Sequence, residues 1–154
     1  MHNLNTTIDE KDIKILEKLA ENARITYTDL AKIVELSDVA VIKRVKKLEE
    51  KIIKRYTIII DPRELGYKVV SFTGIDVDPE KIFEVLETLK NKEYLKGLWL
   101  TTGDHQLLTL ILAKNEEEAA KIHKEIAEIN GVKRVCPAII LKTIKDIEKG
   151  YYIE

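Results

Sequence analysis

The feature that most limits the fold of this chain is a change of periodicity near Lys51. Before it, apolar residues recur every three or four positions, as one face of a helix requires. After it come Ile52-Ile53 and Tyr56-Thr57-Ile58-Ile59-Ile60, β-branched and aromatic runs that favour strand. A pure helical bundle and a pure β sandwich are both excluded by this switch. The chain reads as α+β, with a helical head and a mixed body.

Three short helices are expected in the head. Asp9 caps the first, with Asp12 three residues on, and Ile13, Leu16, Leu19 and Ala20 supply its apolar side until Asn22-Ala23. Thr26 opens the second, with Leu30, Ala31 and Ile33 inward, ending near Val34-Glu35. Ser37 caps the third, whose inner stripe is read as Val39, Ile42, Val45 and Leu48. The segment 51–67 is expected to hold a wing strand and then a linker punctuated by Asp61-Pro62 and Gly66.

Beyond the linker, strand and helix patterns alternate. Val69 to Val77, Leu95 to Thr102, Gln106 to Ala113 and part of Val132 to Ile144 read as strands. Pro79 starts a helix carrying Ile82, Phe83, Val85, Leu86 and Leu89, at a position where its missing N–H costs little. Glu116 to Ile129 is a second helix, stopped by Asn130-Gly131. The order β-α-β-β-α-β is the ferredoxin-like arrangement. It leaves one sheet face bare, and the apolar strand runs imply that a second copy covers it. The expected boundaries are therefore 1–55 for the head, 56–67 for the linker and 68–154 for the body.

Charge separates the two parts. The formal net charge is only −1, but residues 1–60 carry net +2 and residues 61–154 net −3. Within 43–55 stand Lys43, Arg44, Lys46, Lys47, Lys51, Lys54 and Arg55 against Glu49 and Glu50. A local basic patch on a near-neutral chain is the footprint of a nucleic-acid partner, although a solvated lysine face would look the same. The helix beneath it has the layout of a recognition helix. Short residues at its start permit close approach to DNA, and cations follow for the phosphates.

Other classes find less support. The start of the chain lacks an apolar leader, and the longest apolar stretch, Leu107 to Ala113, is far too short for a bilayer. A cytoplasmic location and no membrane partner are expected. Cys136 is the only cysteine, which excludes an intrachain disulfide, and His2, His105 and His123 are scattered. Neither a metal site nor a cofactor is expected. Paired carboxylates, a nucleophile-base pair and a phosphate loop are all missing as motifs, so the reading is not an enzyme. The abundance of Lys, Glu and Ile suits a hyperthermophile or an AT-rich genome.

With these residues in place the sequence resembles the leucine-responsive regulatory protein/AsnC (Lrp/AsnC, feast/famine) regulators. The resemblance is carried by Ile8 to Leu16, Ala23-Arg24-Ile25-Thr26 and Leu30-Ala31, and by Leu36 to Val41 with Arg44 to Glu50. It continues in Ile60 to Tyr67, Thr101-Thr102-Gly103-Asp104 and Asn130-Gly131-Val132, spanning about residues 8–145. It implies a winged helix-turn-helix followed by an αβ sandwich that dimerises, and often a tetramer, octamer or larger array. Many members take an amino acid or similar metabolite between dimers. Three departures stand out. Glu35 replaces a usual turn glycine, Glu49-Glu50-Lys51-Ile52-Ile53 is one residue short and lacks glycine, and His105-Gln106 follow Gly103-Asp104 in place of an aromatic and Asp.

The candidate DNA-binding residues are Ser37, Asp38, Val39, Ala40, Lys43, Arg44, Lys46, Lys47, Lys54 and Arg55. Arg44 has three possible uses, which are a bidentate grip on guanine, a phosphate contact, or an internal ion pair. Trp99, Thr101, Thr102, Gly103, Asp104 and His105 are the candidate effector residues, with a plain hairpin turn as the competing reading. The expected function is a sequence-specific, dimeric or larger transcriptional regulator bound to double-stranded DNA and tuned by an amino-acid effector. The alternatives are a DNA-compacting architectural protein and a small-molecule-binding or enzymatic ferredoxin-like protein.

Overall fold

The computed structural model describes residues 8–145. Contacts divide the chain between Ile59 and Ile60 into a helical unit and a sheet unit, each with its own apolar core.

The helical unit holds α1 (Glu10–Glu21), α2 (Tyr27–Val34) and α3 (Asp38–Lys51). Each begins on a side-chain oxygen that takes up an otherwise orphaned backbone N–H. Asp9 accepts from the Asp12 amide and Asp12 answers by accepting from the Asp9 amide, a reciprocal cap. Thr26 accepts from the Asp29 amide, and Ser37 from the Ala40 amide. The core is Ile15, Leu19, Leu30, Val34, Val41 and Val45, with Leu48 closing one end. Three inward assignments are corrected, and Ala20, which is exposed, is one of them. Ile13 is 50% exposed and Val39 71% exposed, while Ile15 and Val41 are wholly buried. The errors at Ile13 and Val39 are shifts of phase. A helix advances about 100° per residue, so a stripe read two positions out points to solvent.

The expected wing strand does not form in the described chain. Residues 52–68 carry no strand. Without a glycine to break it, α3 runs on to Lys51, and the Ile52 and Ile53 amides both donate to the Leu48 carbonyl at 2.8 Å. Ile52 and Ile53 then pack against the helical core. Tyr56 to Ile60 follow as exposed chain with no neighbouring strand to pair their backbone. The chain reverses at Pro62 to Gly66, where the Tyr67 amide donates to the Pro62 carbonyl and Gly66 takes a positive φ of 85°.

The sheet unit contains β1 (Val69–Val77), a short 3₁₀ turn at Pro79–Lys81, α4 (Ile82–Leu89), β2 (Leu95–Leu100), β3 (Leu107–Ala113), α5 (Glu116–Ala127) and β4 (Val132–Ile139). All pairings are antiparallel, in the order β2-β3-β1-β4, the ferredoxin-like order anticipated from the sequence. Alternation sorts the side chains. Ile75, Val77, Leu107 and Ile111 are buried beneath Val85 and Leu89 of α4 and Ile122 and Ile126 of α5. Phe83, expected inward, is 78% exposed. Among the buried apolar residues runs one polar chain. Ser71 Oγ and Thr73 Oγ1 are 2.9 Å apart, Thr73 Oγ1 meets His123 Nε2 at 3.1 Å, and Thr109 donates to the Thr73 carbonyl. Every hydroxyl in it has a partner, as burial demands.

The opposite sheet face is bare. Val70, Phe72, Leu108, Leu110 and Leu112 alternate with the buried set along β1 and β3, and Trp99 pairs with Leu108 across β2. No helix of the described residues is long and apolar enough to cross a membrane.

Candidate nucleic-acid interface

The α2–α3 junction sets the geometry of the helical unit. Glu35 ends α2 in the left-handed region, at φ 54° and ψ 54°, a conformation that usually falls to glycine. Its amide and that of Leu36 both donate to the Ala31 carbonyl, closing the helix end. Lys11, reaching over from α1, donates from Nζ to the carbonyls of Val34 at 2.9 Å and Glu35 at 3.2 Å. An ammonium at a helix C-terminus faces the negative end of the helix dipole. Lys11 was not singled out in the sequence, since nothing local marks a lysine in α1 as the cap of α2. Thr28 donates to Asp38 at 2.6 Å and ties the start of α3 to α2.

The face of α3 opposite Val41, Val45 and Leu48 carries Val39, Lys43, Lys46 and Glu50, with Ala40 and Lys47 on its flank. Lys43, Lys46 and Lys47 are exposed and take part in no ion pair or hydrogen bond among the described residues. Ser37 and Asp38 stand at the N-terminal end of the same helix, both exposed. The three lysines selected for DNA contact along α3 therefore share one exposed, cationic surface, which Arg44 does not join. Its Nη1 lies 2.7 Å from both Asp9 Oδ2 and Asp12 Oδ1. Asp12 is 6% exposed, so the guanidinium closes a nearly buried carboxylate and clips α3 to the start of α1. The backbone bond from Asp12 and then Arg44 hold the Asp9 carboxyl below its ordinary range. Of the three uses open to Arg44, the structure shows the internal ion pair. Lys54 and Arg55 lie past the helix on the exposed chain, away from any wing. Nearby, the Tyr56 hydroxyl donates to Glu49 at 2.8 Å, and partial burial together with that carboxylate raises its pKa.

The candidate effector residues lie around the β2–β3 hairpin. The Thr101 amide donates to the Gln106 carbonyl and its hydroxyl to the His105 carbonyl at 2.6 Å, so the hairpin turn is real. Thr102, Gly103 and Asp104 are exposed at the tip. Trp99 is 40% exposed and folds back over Gly97, whose missing Cβ leaves room for the indole. His105 turns away from the tip, onto the bare sheet face. It lies over Gly74 and bonds through Nδ1 to Asp76 at 2.7 Å. Asp76 also accepts from Arg134 Nε at 2.7 Å, and Cys136 stands close by. The His105 and Arg134 bonds hold the Asp76 carboxyl below its ordinary value. Asp76, Arg134 and Cys136 escaped the sequence reading because strands 30 to 60 residues apart bring them together.

A capped three-helix unit with a free cationic helix face, joined to a ferredoxin-like unit, defines the class of helix-turn-helix regulators. Comparison with known proteins gives the family. Residues 8–49 match the AsnC-type helix-turn-helix domain. The chain is 50% identical over 140 residues to the transcriptional regulator LrpA of Pyrococcus abyssi, covering 90% of this chain and 99% of that protein. The structure of AsnC from E. coli superposes with a TM-score of 0.82 at 27% identity, covering 92% of this chain and 98% of that one. The regulator NMB0573 of Neisseria meningitidis, solved as a complex with L-Met, shares the fold with a TM-score of 0.85 at 23% identity over 91% of this chain and 94% of that one. The chain belongs to the Lrp/AsnC family of DNA-binding transcriptional regulators.

Proposed function

We propose that two copies of this chain bind one near-palindromic DNA site, each presenting α3 to a major groove. The free face of α3 carries this reading. Ser37, Asp38, Val39 and Ala40 stand where base edges are read, and Lys43, Lys46 and Lys47 where phosphates pass. Lys54 and Arg55 extend the positive charge along the strandless chain that follows. Arg44 acts from behind this surface by fixing α3 on α1.

The pairing of two copies rests on the bare sheet face. Phe72, Leu108, Leu110 and Trp99 form an apolar surface of a kind that single-copy proteins seldom leave to water. Ile58, Ile59 and Ile60 are each more than half exposed, and they add unpaired strand-like backbone to the same demand. Larger assemblies, such as tetramers and octamers, belong to the same reading. The hairpin from Trp99 to His105 is proposed to meet an amino-acid effector, as the L-Met complex of the Neisseria protein suggests for a shared fold.

Footprinting of the full chain on the DNA upstream of its own coding region tests this, with random-sequence DNA as competitor. A protected near-palindrome that survives competition is expected. Equal affinity for random DNA would favour compaction instead. Repeating the footprint with each of the twenty amino acids tests the effector, and an unchanged footprint with all of them would remove it.

A further inference from the structure

We infer that Asp76, His105 and Cys136 form a binding site for a divalent transition-metal ion, with zinc as the best match, on the bare face of the sheet. The three residues come from β1, the β2–β3 hairpin and β4. Their donor atoms, a carboxylate oxygen, an imidazole nitrogen and the thiol sulfur, all lie within 4.8 Å of one another. Strand register produces the grouping. Gly74 pairs with Cys136, and Asp76 with Arg134, so Asp76 and Cys136 sit diagonally on one face. His105 covers the space between them. That space exists because residue 74 is glycine; a Cβ there would lie 2.1 Å from the ring's Cδ2.

The donor set selects the ion. Oxygen, nitrogen and sulfur together suit zinc and its neighbours, whereas magnesium and calcium prefer oxygen alone. Three donors from one chain leave the fourth tetrahedral position to water, a small ligand or a side chain of the second copy proposed to cover this face. In a tetrahedral zinc site with bonds of about 2.0 Å, oxygen and nitrogen donors stand about 3.3 Å apart. The present Asp76 Oδ1 to His105 Nδ1 separation is 2.7 Å, so the pair opens slightly when the ion replaces the shared proton. Arg134 holds the other oxygen, Oδ2, and so leaves Oδ1 to the ion while fixing the carboxylate's orientation. On binding, the thiol loses its proton to solvent, and the proton between Asp76 and His105 moves to the other ring nitrogen or to solvent, so that the imidazole coordinates through an unprotonated nitrogen. The site shares His105 with the hairpin proposed for an effector but rests neither on that role nor on DNA binding.

Cobalt(II) titration of the reduced, chelator-stripped full chain tests the site without reference to DNA. The expected result is one ion per chain, with a thiolate-to-cobalt charge-transfer band in the near ultraviolet that zinc abolishes. Cys136→Ser, nearly isosteric, is expected to remove the band while leaving the melting temperature of the metal-free chain unchanged. His105→Ala is expected to weaken binding at least tenfold, and Gly74→Ala to displace the ring and do the same. A wild-type chain without the band at stoichiometric cobalt would overturn the proposal, as would a Cys136→Ser chain that keeps the wild-type affinity.

Discussion

Glu35 occupies a left-handed backbone position that disfavours any residue with a Cβ. Replacing it with glycine is expected to raise stability by about 1 kcal/mol, read as a higher denaturation midpoint at unchanged slope. Lys11 acts at the same junction from the other side. Its ammonium satisfies two carbonyls at the end of α2, and Lys11→Met should lower stability by about 1 kcal/mol. If Lys11→Met were neutral in chemical denaturation, the cross-helix cap would carry no weight. A different residue sets a pH dependence. His123 is partly buried, and desolvation lowers its pKa below the ordinary 6.5. The unfolded chain therefore takes up the proton first. The stability this supplies is complete above pH 6.5 and is lost as pH falls below it. His123→Gln, which keeps a polar partner for Thr73, should flatten the fall of melting temperature between about pH 7.5 and 5.5. Parallel curves for the two chains would remove His123 as the cause.

At the scale of the element, the lysines of α3 proposed to meet phosphate are distinct from the arginine that supports the helix internally. Lys43→Ala, Lys46→Ala and Lys47→Ala should each reduce the slope of log affinity against log salt by about one unit, with little change in folding stability. Arg44→Ala should do the reverse. It strands the nearly buried Asp12 carboxylate and should cost about 2 kcal/mol in stability, while the salt slope stays at the wild-type value. A slope flattened by one unit in Arg44→Ala would place that side chain on DNA after all.

The same helix shows what the sequence could and could not reveal. Caps are local, so Asp9, Thr26 and Ser37 were legible from residues three positions apart, and with them the helix starts. The four strands were legible because their apolar and β-branched runs, bounded by turn residues, are local too. The phase of a short amphipathic helix is less constrained, which is why Ile13 and Val39 were read inward. Arg44 and Lys11 owe their roles to partners more than 20 residues away, and no local pattern encodes those partners. The cluster of Asp76, Arg134 and Cys136 around His105 is further still from local reading, since it depends on the register of three strands. The missing wing has another origin. Its β-branched composition is genuine, but a strand needs a neighbour, and the described single chain supplies none for residues 56–60.

At the scale of the whole molecule, that unmet demand and the bare sheet face point the same way. A surface bearing Phe72, Trp99, Leu108 and Leu110 gains free energy roughly in proportion to the apolar area that a second copy removes from water, about 25 cal/mol per Å² before the costs of association. Placing a charge at its centre should reverse that gain. Leu110 sits mid-strand in β3, opposite Phe72 in β1, so a glutamate there would lie unpaired in the middle of any interface. The wild-type chain is expected to sediment as a dimer or larger, and Leu110→Glu as a single copy at the same concentration. Its helical unit has its own core and should remain folded, visible as retained helical circular dichroism. The consequence for DNA follows from avidity. Two linked recognition helices bind half-sites about 34 Å apart as one ligand, whereas separate copies must bind each half-site independently. Leu110→Glu should therefore lose at least a hundredfold in affinity for the full site. On a single half-site it should match the wild-type chain. A variant that stays dimeric, or that binds the full site as tightly as the wild type, would show that the sheet face is not where the two copies meet.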